Sequence, residues 1–194
     1  MMAGKCLVYF LPPEMNPVPA RDIPINMLTK NDFTASEWAT LRDTPSLVGF
    51  ATLMAGASGL GTIKESMALA QGVIENQKSN FPLIRDLSST AEMQASQGSM
   101  REKFGTPGSK PTPESMRQLA LEQARQSISI LSGKASAEET DAWRRTIYGL
   151  AEKVANAARE GGFLGFGGTL VSEGEQTFLD QLREALQLEQ ARRA

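Results

Sequence analysis

Proton transfer and metal ligation at neutral pH most often rest on histidine, and this chain has none. That excludes Ser-His-Asp and Cys-His nucleophiles, histidine acid–base work and histidine-ligated metals. The single cysteine, Cys6, excludes an intrachain disulfide framework and any multi-cysteine zinc site. Carboxylates, lysines, tyrosines and serines remain. Glu65 follows Lys64 beside a glycine turn, and Asp141 and Glu160 sit near expected helix ends. None belongs to a motif that a reaction requires. The pairs Glu138/Glu139 and Glu173/Glu175 fall in first helical turns, where they complement the helix dipole. Arg144/Arg145 and Arg192/Arg193 read as solvated faces or terminal charge. A di-metal helix site needs Glu-x-x-His and cannot be built here. The residues therefore predict no cofactor, no metal and no catalytic centre.

The sequence is more distinctive where it offers contact surface. Gly161, Gly162, Phe163, Leu164, Gly165, Phe166, Gly167 and Gly168 form a run in which five glycines surround three large apolar side chains. Glycine lets the backbone turn sharply. Phe163, Leu164 and Phe166 can then plug the open end of a helical bundle, or stand out as wedges for a protein partner or a bilayer surface. A phosphate cradle is disfavoured, because the pattern matches neither the dinucleotide fingerprint nor a P-loop, and Glu173 and Glu175 open the next helix. Calcium is excluded at this run, since residues 161–171 hold no carboxylate. A second loop candidate is Gly59, Leu60, Gly61 and Thr62.

These loops must hang on helices. Thr34-Ala-Ser-Glu37, Ser136-Ala-Glu-Glu139 and Ser172-Glu-Gly-Glu175 are three capping boxes, each able to satisfy two orphan donors at a helix start. Thr112 followed by Pro113 is a fourth start. Trp38 and Leu41 share one face of a first helix, and Pro45 suits the first turn of a second, apolar all round through Leu47, Val48, Phe50, Ala51, Leu53 and Met54. Leu60, Ile63, Met67, Ala70 and Ile74 make the inward stripe expected of a third. Pro82 and Thr90 begin two weaker segments. Met116, Leu119, Ala120, Ala124, Ile128 and Leu131 form a stripe, as do Trp143, Ile147, Leu150, Ala151, Val154 and Ala158, and lastly Phe178, Leu179, Leu182, Ala185 and Leu186. Nothing alternates with period two for long enough to demand a sheet. The expectation is an all-α fold, a single bundle of six to seven helices over residues 28–194, with an exposed linker near 105–112.

Residues 1–27 read as a separate proline-rich tail, with Pro12, Pro13, Pro17, Pro19 and Pro24 barring a helix. Met27 opens a stretch that looks like an ordinary start, so 1–26 are expected to be a disordered tail or an over-extended start. Cys6-Leu-Val-Tyr-Phe-Leu11 is a poor signal peptide, lacking an Ala-x-Ala cleavage pattern. The uncharged run from Leu47 to Ile63 is borderline against the ~20 residues (range ~17–25) of a membrane span, and its glycines thin it further, so it reads as a central buried helix, with a membrane-inserting hairpin as the alternative.

Taken in order, Asp32-Phe-Thr-Ala-Ser-Glu-Trp38, Pro45-Ser-Leu-Val-Gly49, Ser58-Gly-Leu-Gly61 and the Gly161–Gly168 run with Val171-Ser-Glu-Gly-Glu175 resemble a group of small bacterial all-helical proteins. More distantly, a helix, a short loop and Val-Ser-x-x-Glu opening the next helix are similar to the tellurite-resistance TerB-like helical fold. That fold often carries Asp-Gly where Gly167-Gly168 stand here, so the resemblance brings over no metal role. Lys plus Arg number 20 and Asp plus Glu 22, a net charge of −2. That balance argues against a dedicated nucleic-acid partner. The expectation is a non-enzymatic cytoplasmic module that binds another protein, in a stress- or envelope-associated assembly. A peripheral membrane protein anchored by residues 161–168 is the alternative, and a carboxylate-dependent enzyme the third.

Overall fold

The computed structural model describes residues 28–56, 62–105, 111–159 and 172–188, with only the backbone described at 62–65, 158 and 159. Among these residues there are seven α-helices and no strand, as an all-α bundle requires. A short 3-10 turn at Lys30–Asp32 leads into α1 (Ala35–Ala55). There follow α2 (Thr62–Asn76), α3 (Pro82–Leu87), α4 (Thr90–Phe104), α5 (Pro113–Ser132), α6 (Ala137–Arg159) and α7 (Glu173–Ala185). The tail 1–27, residues 57–61, 106–110, 160–171 and 189–194 lie outside the described residues.

Local chemistry sets the helix starts. Thr34 Oγ1 accepts from the Glu37 amide at 3.2 Å, and the Glu37 carboxylate accepts from the Thr34 amide at 2.7 Å. The same reciprocal pair forms at Ser136/Glu139 and at Ser172/Glu175. Thr112 caps α5 and Pro113 takes its first turn.

α1 differs from expectation. One helix runs through Pro45, where two were anticipated. The proline removes the amide that would bond the Leu41 carbonyl, and its ring crowds the preceding turn. The Thr40 carbonyl in that turn accepts from Thr44 Oγ1 at 2.7 Å and from Gln123 Nε2 of α5 at 2.9 Å. A buried hydroxyl and a neighbouring helix thus brace the interruption. Nor is the helix buried all round. Leu47, Val48 and Ala51 are buried, while Phe50 is 45% exposed.

α1 is the axis on which the other helices pack. Trp38, Leu41, Leu47 and Val48 meet a core of Met116, Ala124, Ile128 and Leu131 from α5, Trp143 and Ile147 from α6, and Phe178 and Leu182 from α7. The indole N–H of Trp143 donates to Ser127 Oγ at 3.0 Å, and that hydroxyl donates to the Ala124 carbonyl, so both of these buried side chains are paired. α4 attaches differently. Its buried residues are Glu92 and Ser96, and it meets α1 through Ser46–Ser96 at 2.9 Å and Arg42–Ser99 at 2.7 Å. Few apolar anchors are involved, which is why its hydrophobic pattern is faint.

Candidate functional site

α7 begins where α1 ends. A Cβ on Gly174, in the first turn of α7, would stand 2.6 Å from the Ala55 carbonyl oxygen, closer than real Cβ atoms come. A Cβ on Gly56 would stand 2.8 Å from Glu175 Oε1. The absence of side chains at these two glycines is what lets the two helix ends meet. Glu175 is 2% exposed. Its Oε2 accepts from the Ser172 amide and hydroxyl, both at 2.8 Å, while its Oε1 is buried without a hydrogen-bond partner. Gly56 is the last described residue before Gly59, Leu60 and Gly61, and Ser172 the first after the run from Gly161 to Gly168. Gly161, Gly162, Phe163, Leu164, Gly165, Phe166, Gly167 and Gly168 lie outside the described residues, as do Gly59, Leu60 and Gly61. Thr62 opens α2. The structure therefore brings the anchoring points of both candidate loops to one end of the bundle.

α2, which starts from that end, is turned the other way from expectation. Met67 is 59% exposed, Ile74 is 49% exposed and Ala70 is exposed as well. The packed side carries smaller groups: Ala68 and Gly72, flanked by Leu69 and Val73. A Cβ on Gly49 of α1 would fall on the Leu69 side chain, and one on Gly72 would fall on Leu150 of α6. Close approach of backbone at these glycines fixes the helix with Ala68 and Gly72 inward. Positions 67, 70 and 74 then share the solvent face by helical spacing. The expected stripe faces outward at Met67, Ala70 and Ile74, because the contact is made where Leu69 meets Gly49 and Gly72 meets Leu150; Leu60 and the side chain of Ile63 lie outside the described residues.

Set against protein-family models, curated proteins and solved structures, the chain matches none of them. The site must be argued from its own geometry.

Of the carboxylates weighed for chemistry, Asp141 forms an ion pair with Arg144 one turn along α6. Glu65 lies on α2 with its side chain undescribed, and Glu160 and Cys6 lie outside the described residues. The buried carboxylates have structural partners. Asp43 pairs with Arg42 at 2.8 Å and lies 3.8 Å from Lys103. Glu92 receives Lys30 at 2.7 Å. Burial works to raise the Glu92 carboxyl, but the Lys30 ammonium and, further off, Arg42 outweigh it and hold it below the ordinary value. Among the described residues no cluster of three or more acidic or cysteine side chains is arranged to hold a metal ion, and no helix is long and apolar enough to cross a membrane. Sequence reasoning missed the outward face of α2. The available signal was its small residues, Ala68 and Gly72, spaced four apart.

Proposed function

We propose that this protein is a non-enzymatic helical interaction module, and that the outward face of α2 is its contact surface for another protein. The observation that carries this reading is the row Met67, Ala70 and Ile74, two of whose members are large apolar side chains about half exposed. A helix presenting i, i+3 and i+7 apolar anchors suits an apolar groove on a partner, and contiguous exposed apolar surface marks interaction sites. The loop 59–62 leads directly into this helix, so that second sequence-based contact candidate and the exposed row are contiguous in the chain. The engaged state of Asp43, Glu92 and Asp141 favours binding over carboxylate catalysis. A cytoplasmic setting belongs to the same proposal.

The test is the double variant Met67→Glu/Ile74→Glu. Substitutions at exposed positions usually change stability by no more than about 0.5 kcal/mol. Unchanged melting, with loss of a protein that co-purifies with the wild type and crosslinks from position 74, supports the reading. Strong destabilisation means that the face is packed, and retention of the co-purifying protein means that it binds elsewhere. Flotation of the wild type with liposomes, abolished in the variant, would make the face a lipid surface instead.

A further inference from the structure

The inward side of α2 borders a cleft of about 180 Å3 against α6. α6 contributes Arg145, Gly149 and Lys153, which share one face by their four-residue spacing. Gly149 stands inside a helix, where glycine is unfavourable relative to alanine. Packing does not require it, because a Cβ there would meet nothing within 4 Å. Its missing side chain keeps the cleft open.

The polar groups around this space are mostly donors. Lys153 pairs with Glu75 across the cleft at 2.6 Å, which engages its one carboxylate. Arg145 is exposed and, among the described residues, makes no ion pair or side-chain hydrogen bond. The side chains of Asn76 and Thr146, on the same cleft, make none either. Two cations thus face one carboxylate, in a chain whose net charge is −2.

We propose that this cleft binds a small oxyanion-bearing molecule, a carboxylate or a phosphate, with Arg145 as the principal contact and Asn76 and Thr146 as further donors. The forked N–H groups of a guanidinium match two oxygens of such an anion. The volume is below the ~300–1,000 Å3 of pockets for drug-sized ligands, so the ligand is small. This proposal is independent of the contact surface assigned to α2.

The experiment is an NMR titration of the full chain, at constant ionic strength, with inorganic phosphate and separately with succinate. Saturable amide shifts confined to residues 72–76 and 145–153 are expected for at least one probe. Arg145→Gln should weaken that binding by about ten- to a hundredfold, the worth of a charge-assisted contact. Gly149→Leu should abolish it while leaving every charge in place, with helicity and melting checked for both variants. The proposal is overturned if neither probe gives saturable shifts there, or if a folded Arg145→Gln protein binds as tightly as the wild type. Binding that survives a folded Gly149→Leu substitution also overturns it, because the anion is then held on the surface by charge alone.

Discussion

Glu37 holds two parts of the molecule at once. Its carboxylate accepts from the Thr34 amide at 2.7 Å, closing the first turn of α1, and from the Lys134 ammonium at 2.9 Å, which arrives from the turn before α6. Lys134 also donates to the Asp32 carbonyl at 2.9 Å. The Thr34 amide, and after it the Lys134 ammonium, hold the Glu37 carboxyl at about 2, against an ordinary value of 4.5. The folded value lies below the unfolded one. Its contribution to stability is therefore complete above the ordinary value and is lost as pH falls from there through about 2. A carbon-detected titration should place Glu37 near 2, and Lys134→Met should raise it part of the way to 4.5. A wild-type value already at 4.5 would refute both contacts. At this scale much was legible in the sequence, because a capping box needs only a hydroxyl and a carboxylate three residues apart. The availability of Arg145 was not. Arg144 and Arg145 are adjacent and alike, yet helical rotation ties one to Asp141 and sets the other over a cleft.

At the scale of elements, the close approach of α7 to α1 decides how the loop-bearing end is built. Gly174→Ala would ordinarily improve an exposed helical turn by about 1 kcal/mol. Here the added methyl meets the Ala55 carbonyl, so we expect a net loss of about 1–3 kcal/mol, the usual cost of overpacking. Chemical denaturation measures it, and a stabilised variant would show that the helix ends do not touch. The helices themselves were largely readable, since the described residues of the α5, α6 and α7 stripes are buried as their spacing implies, with Leu119 at the edge of exposure and the side chain of Ala158 outside the described residues. Two elements were misread for different reasons. Pro45 looked like a helix start because its missing amide suits a first turn, and one of the two braces that hold α1 at that turn, Gln123, is distant in sequence. The apolar row on α2 gave the period of a helix, but periodicity carries no sign. Which side faces inward was settled by Gly49 and Gly72, where backbone and side chain come together.

The whole molecule divides by how its helices are held. α1, α5, α6 and α7 share large apolar side chains in one core. α4 is joined to α1 through hydroxyls and charged groups, and α2 rests on α1 and α6 through Ala68, Gly72 and Leu69 while Met67 and Ile74 point away. The two loop candidates were legible only as sequences, and the structure adds that their flanking residues meet where α1 gives way to α7.

The seat of α2, outside the main core, has a consequence in time as well as in space. Detaching the helix uncovers Leu150 of α6 and Leu69 but leaves the core shared by α1, α5, α6 and α7 closed, so the free energy of its local opening lies below that of global unfolding. Amide hydrogen exchange should then find the protected amides of α2 trading with solvent sooner than those in the middle of α1 or α6. Equal protection across the three helices would show that they open together. The face offered to a partner would then be carried on the segment that comes loose first, and docking would slow its exchange before it changed anything else in the fold.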